Sequence, residues 1–289
     1  LQRVTFSIAA WDPSSPAGPE WGVAVASKFL AVGSLVPWAR ANAGAIATQA
    51  FAKVTYGSEG LARLARGEDA DAVVRALTEA DEGRAQRQLG VVDARGRAAT
   101  FTGDECMDWA GGRAGDGYCC QGNILAGAEV VDAIAASFES PDGDLATRLV
   151  RALQAGDNAG GDRRGRQSAA LVVVREAGGY LGETDRTLDL RVDDHPDPVP
   201  ELSRLLDLHR LYFPRPETLE FLPVDEALAA EMRSLLARRD YPAGTGPGYD
   251  EALRDALFAY MGTENLEERW SDDPVIEGVV LDHLRRSGG

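Results

Sequence analysis

Two apolar runs open the chain, Val4-Thr5-Phe6-Ser7-Ile8-Ala9-Ala10-Trp11 and Trp21-Gly22-Val23-Ala24-Val25-Ala26-Ser27-Lys28. Between them lies Asp12-Pro13-Ser14-Ser15-Pro16-Ala17-Gly18-Pro19-Glu20, a segment of turn formers. The pattern predicts two strands joined by a long hairpin loop. It also sets Thr5 at the start of the first strand, with few residues before it. A threonine freed at its α-amine carries a nucleophile and its base in one residue, because a terminal amine has a pKa of roughly 7.7–8.0 and accepts a proton near neutrality. Threonine is also an ordinary strand residue, so the strand pattern alone leaves both readings open.

Further along, residues 43–49 are small and apolar and predict a third strand. Helical spacing follows over residues 56–66, with Gly67 as a stop, and over residues 70–80. Leu89-Gly90-Val91-Val92-Asp93 and Ala98-Ala99-Thr100-Phe101-Thr102 flank the turn Ala94-Arg95-Gly96-Arg97, a strong hairpin signal. A strand at residues 118–121 runs through Gly122-Asn123 towards helices at 129–138 and 144–155. The most apolar strand, residues 169–174, and a last strand near 188–192 complete the first domain. Short turns between neighbouring strands make the sheets mostly antiparallel, with paired helices covering their faces. A layered αββα sandwich meets these conditions, as does a two-layer α+β domain.

Pro196, Pro198 and Pro200 punctuate the exit, with Pro198 in the first turn of a helix reaching about Tyr212. Pro214 and Pro216 mark a boundary, giving domains at 1–213 and 214–289, the second small and all-helical.

Composition narrows the partners. The chain has 289 residues, 44% hydrophobic and 26% charged, with a formal net charge of −16. That charge argues against duplex nucleic acid, which needs a positive face. No apolar run is long enough to span a membrane. Leu1-Gln2-Arg3-Val4 has no apolar core of signal-peptide length, so a cytoplasmic location is expected. Cys106, Cys119 and Cys120 read as small, mostly buried residues rather than a disulfide framework. His195, His209 and His283 lie far apart without zinc-site spacing, so no metal or other cofactor is expected.

Several strings, in order, resemble a family of uncharacterised bacterial proteins assigned to the Ntn (N-terminal nucleophile) hydrolase superfamily. They are Thr5-Phe6-Ser7-Ile8, Gly22 to Phe29, Val36-Pro37-Trp38-Ala39, Ala47-Thr48-Gln49-Ala50-Phe51, Tyr56-Gly57, Gln121-Gly122-Asn123-Ile124-Leu125, Gly160 to Ala170 and Asp193 to Pro198. The resemblance covers roughly residues 4–213 and implies an α+β fold, the four-layer αββα sandwich with mostly antiparallel sheets. The tail, residues 249–286 with Met261-Gly262-Thr263-Glu264-Asn265-Leu266, resembles a small peptidoglycan-binding-like module.

The resemblance implies an amidohydrolase acting on a peptide or non-peptide amide, with Thr5 as nucleophile and its freed amine as base. Gln49, at the end of the third strand, and the side-chain amide of Asn123 are candidate oxyanion donors. Lys28 would lower the amine's pKa by like-charge repulsion, with Ser27-Lys28 standing where proteasome-like enzymes carry an aspartate. Asp162 and Ser168 flank a strand start that supports the amine in the superfamily. Arg163, Arg164 and Arg166 are candidates to grip a substrate carboxylate. Ser7 is a lesser candidate nucleophile and contact. Val4 stands where self-cleaving relatives commonly carry Gly. If Val4 is a misread GTG start codon, methionine removal would expose Thr5 instead. The alternative is a non-catalytic Ntn-fold binding or assembly protein whose tail mediates association or wall binding. A homodimer is expected from size and the appended helices.

Overall fold

The computed structural model describes residues 5–286, the side chain of Glu217 excepted. The chain divides into two compact units, Leu1–Leu205 and Leu206–Gly289. It is a mixed α/β protein with antiparallel sheets and, among the described residues, eight α-helices.

In the first unit the strands are β1 (Thr5–Asp12), β2 (Glu20–Ser27), β3 (Pro37–Arg40), β4 (Gly44–Ala50), β5 (Arg87–Asp93), β6 (Ala98–Thr102), β7 (Gly111–Gly115), β8 (Tyr118–Asn123), β9 (Ser168–Val174) and β10 (Arg186–Val192). The helices are α1 (Thr55–Leu64), α2 (Ala70–Glu79), α3 (Glu129–Glu139) and α4 (Leu145–Asn158), followed by α5 (Pro198–Tyr212), within which the division into units falls. Asp69 and Asp144 cap α2 and α4, accepting from the Ala72 and Thr147 amides at 2.8 and 2.9 Å.

One sheet has six strands in the order β10-β9-β2-β1-β8-β7, the other four in the order β3-β4-β5-β6. The sheets pack face to face, β1 over β4 and β8 over β5, while α3 and α4 pack on the first sheet and α1 and α2 on the second. Strands β1 and β2 are therefore buried on both sides. Small residues make this approach feasible: a Cβ on Gly22 would lie 2.6 Å from the Leu149 side chain of α4. Within β1 the period of two divides the side chains. Phe6 lies towards α4, whereas Ala9 joins the apolar cluster between the sheets with Val25, Ala45 and Val92. The turn joining β5 to β6 needs Gly96, whose φ is +78°.

The sequence pattern misses two strands. β3 carries Pro37 and β7 has three glycines among its five residues, and both lie at sheet edges. Proline is tolerated there and glycine gives no strand signal, so neither segment shows the usual pattern.

The second unit contains α6 (Glu226–Ala237), α7 (Glu251–Thr263) and α8 (Gly278–Arg286) around a core that includes Met232, Leu236, Leu253, Tyr260 and Leu284. The expectation that it is all-helical is corrected by a two-stranded antiparallel ribbon, β11 (Phe221–Pro223) with β12 (Val275–Glu277). Three-residue strands are too short to show a period of two. A buried ion pair ties the ribbon to this core: Arg269 meets Glu277 at 2.8 Å and donates to the Arg210 and Leu211 carbonyls, each at 2.8 Å. Glu277 in turn accepts the Val279 and Val280 amides at the start of α8. Among the described residues no helix is long and apolar enough to cross a membrane.

Candidate functional site

The register of the six-stranded sheet gathers the ends of several strands. Thr5 pairs with Asn123 across β1 and β8, and Ser27 pairs with Ser168 across β2 and β9. Thr5 is only 3% exposed, and its hydroxyl lies 3.2 Å from that of Ser27. The segment Leu1–Val4, whose removal the nucleophile reading requires, lies outside the described residues.

Beside Thr5 is a narrow recess of about 10 Å³, walled by Phe29, Val32, Leu35 and Val36 on one side and by Gln49, Ala50 and Ala52 on the other. That volume is near the roughly 10–15 Å³ one water needs. Ser168, fully buried, pins the first wall: its hydroxyl donates to the Phe29 carbonyl at 2.5 Å and accepts the Val32 amide at 3.1 Å. A larger, acidic depression of about 920 Å³, with Glu79, Asp81, Glu82 and Asp104 in its lining, contains none of the Thr5 cluster.

Between the sheets runs a buried seam of amides. Ser7 donates to Gln49 Oε1 at 2.6 Å and accepts from Gln121 Nε2 at 2.7 Å. Gln49 Nε2 donates to the Thr5 carbonyl at 3.3 Å and to Gln88 Oε1 at 2.8 Å. Asn123 Nδ2 donates to the same Gln88 oxygen at 3.0 Å. Gln88 Nε2 reaches the Gly122 carbonyl at 2.8 Å and the Thr102 hydroxyl at 2.9 Å. Buried polar groups of this kind are costly unless paired, so the seam fixes its members' orientations. Sequence reasoning missed Gln88 and met Thr102 and Gln121 only inside longer strings. The available signal was a glutamine within each of the strands β5 and β8.

The residues that follow two seam members have unusual backbones. Ala50, after Gln49, has φ 65°, and Ile124, after Asn123, has φ 52°. A β-branched residue in the left-handed region is an outlier, with a cost of about 1–3 kcal/mol, and such outliers gather at functional sites.

Asp162 is buried beside this cluster and carries structural bonds. Its carboxylate accepts the Lys28 amide at 2.6 Å and the Arg164 amide at 2.9 Å. The Lys28 side chain, expected to tune the Thr5 amine, is instead exposed, and its ammonium donates to the Arg166 carbonyl at 3.2 Å. The last residue of β2 is Ser27; Lys28 follows it and turns its side chain outward. The arginines expected to grip a substrate are largely engaged within the chain. Arg164 pairs with Asp162 at 3.4 Å, and Arg166 pairs with Asp157 at 2.8 Å and Asp197 at 3.2 Å. The Asp157 bond and charge hold the Arg166 guanidinium above its usual pKa. Arg163 is exposed, and its amide donates to the Ile124 carbonyl at 3.3 Å.

Cys119 and Cys120 are buried, and burial pushes the Cys120 thiol up to about 12, far from a reactive thiolate. Cys106 is half-buried, and its thiol is also raised by burial. Among the described residues no group of three or more His, Cys, Asp or Glu is placed to hold a metal ion.

Residues 5–202 match DUF1028, a family of unknown function. Residues 212–284 match a family described as "Putative peptidoglycan binding domain". The crystal structure of protein SPO2555 from Silicibacter pomeroyi, itself assigned to DUF1028, is similar to this chain. It shares 33% identity, the match covers 72% of this chain and 89% of that one, and the TM-score is 0.65. No curated protein matches the chain.

Proposed function

From the premise that this chain belongs, through residues 5–202, to the DUF1028 family of unknown function, we propose that it is an amide hydrolase with Thr5 as an N-terminal nucleophile. In this reading the two face-to-face sheets, each with a helix pair outside, are the αββα sandwich of the Ntn type. The observation that carries the reading is the setting of Thr5. It begins a buried strand, its hydroxyl touches that of Ser27 at 3.2 Å, and it opens on a recess walled by Gln49 and Ala50.

With residues 1–4 removed, the Thr5 hydroxyl attacks the amide carbonyl and its proton passes to the α-amine, with the Ser27 hydroxyl placed to orient it. The C–N bond then breaks, and the amine returns the proton to the leaving nitrogen. Water hydrolyses the resulting ester, releases the acid and restores the hydroxyl. In this reading the Gln49–Ala50 segment of the recess wall stabilises the oxyanion, with Asn123, which donates to Gln88 and stands opposite Thr5 in the sheet, as a second candidate. Asp162 acts by holding the Lys28 backbone, and Ser168 by holding the recess wall.

The match of residues 212–284 supports peptidoglycan as a partner of the second unit. That partner would place the chain outside the cytoplasm, contrary to the location expected from its first residues. Sedimentation with purified sacculi tests it, and binding lost on deletion of residues 212–284 is the expected result.

For the nucleophile, protein prepared to begin at Thr5 is compared with the 289-residue chain by intact mass after exposure to an activated acyl ester. The Thr5-first protein gains one acyl group, the longer chain gains none, and Thr5→Ala abolishes the gain. Equal labelling of all three forms sinks the reading.

A further inference from the structure

We infer that the acyl group accepted at Thr5 is short, aliphatic and uncharged; the inference rests on the reading of Thr5 as nucleophile and adds the substrate class to it. Apart from Thr5 and Gln49, the walls of the recess are apolar, with Phe29, Val32, Leu35, Val36 and Ala52 facing the space the acyl group would take. The residues next to these walls extend the apolar character outward. Leu30, after Phe29, is 59% exposed, and Phe51, between Ala50 and Ala52, is 42% exposed.

Size sets the second limit. The recess of about 10 Å³ has room for about one water, so the acyl groups that displace its walls least are the shortest, and a long chain is disfavoured. Charge sets the third. No side chain of the wall is ionisable, the Thr5 amine must stay neutral to serve as base, and the guanidiniums of Arg164 and Arg166 are paired with Asp162, Asp157 and Asp197. A carboxylate buried in this recess would lack a counter-ion, and an isolated buried carboxylate is strongly disfavoured.

The chemistry gives a direct probe series. With a p-nitrophenyl ester, the Thr5 oxygen bonds to the acyl carbon, p-nitrophenolate leaves, and the hydroxyl proton passes to the Thr5 amine. Protein beginning at Thr5 is exposed to p-nitrophenyl acetate, butyrate and octanoate and to the p-nitrophenyl monoester of succinic acid. Intact mass and p-nitrophenolate release follow acylation. Acetyl and butyryl groups are expected on Thr5, with octanoyl and succinyl transfer slower by about tenfold or more, the range over which a pocket discriminates by fit. Leu35→Ala, at a half-buried wall position, is expected to raise the octanoyl-to-acetyl ratio by about tenfold. Succinyl or octanoyl transfer as fast as acetyl transfer overturns the substrate class and leaves the nucleophile standing. Labelling by no ester, with Thr5→Ala indistinguishable from the parent, overturns both.

Discussion

Gln49, in the four-stranded sheet, donates its side-chain amide to the carbonyl oxygen of Thr5, in the six-stranded sheet, at 3.3 Å. The two residues stand 44 positions apart and meet only because β1 packs over β4. The same Gln49 amide reaches Gln88, so the placement of Thr5 depends on residues with no direct contact to it.

Gln88→Leu is expected to be the most damaging change in the seam. It removes the acceptor shared by Gln49 and Asn123 and the donor to the Gly122 carbonyl, all in buried surroundings. Gln49 keeps the Thr5 and Gln121 carbonyls as acceptors, so the Asn123 amide and the Gly122 carbonyl bear the loss; at about 1–3 kcal/mol for each, about 2–6 kcal/mol is expected in urea unfolding. Thr5 acylation should fall with it, since Gln49 loses one of the bonds that fix its orientation. Unchanged stability would show that the seam does not act as a unit.

Much of the scaffold was legible in the sequence. The opening hairpin, the β5–β6 hairpin and the helix pair α1–α2 announce themselves through period and punctuation, and β9 through its run of apolar residues. The seam was not legible, because its members come from β1, β4, β5 and β8, and register alone brings them together. Lys28 shows the reverse error. Its place after Ser27 suggested a side chain near Thr5, but chain proximity does not fix the direction in which a residue beyond the strand end points. The ribbon β11–β12 was invisible for a simpler reason, its length.

Asp162→Ala is expected to loosen the end of β2. The variant leaves the Lys28 amide and the Arg164 amide without their acceptor, at a cost of about 1–3 kcal/mol. Displacement near a reacting group can cost about a hundredfold in rate, so acylation of Thr5 should fall by about tenfold to a hundredfold. Asp162→Asn keeps an oxygen acceptor and should fall between. Acylation rates measured beside unfolding midpoints separate the two effects.

Acid stability should carry a mark of Asp81. Burial alone would raise its carboxyl, but hydrogen bonds from Arg87, Tyr56 and the Gly83 amide outweigh this and hold it down at about 2, below its ordinary 3.8. A carboxyl depressed in the folded state stabilises the protein above its ordinary pKa, and that contribution is lost as pH falls through the folded value. The loss is therefore expected between about pH 4 and pH 2. Asp81→Asn should flatten the stability profile in that window, as measured by thermal unfolding across pH.

In the second unit, Glu277→Ala strips the partner from the buried Arg269 and the acceptor from two amides of α8. Breaking a buried pair on one side costs about 3–5 kcal/mol. Hydrogen exchange of the α8 amides should accelerate markedly, whereas β1 and β2 in the first unit should exchange as before. Glu277→Gln, which retains an acceptor for the helix amides, should be milder.

The amide seam has a consequence for how singular the native state is. Two sheets joined solely by alkyl groups could shift past each other and repack at modest expense, because dispersion contacts have little preference for direction. The bonds linking Ser7, Gln49, Gln88, Gln121 and Asn123 tolerate no such slip, since each needs its donor and acceptor aligned within a few tenths of an ångström. The seam thus works as a keyway cut across the interior, locking the lateral alignment of one sheet against the other.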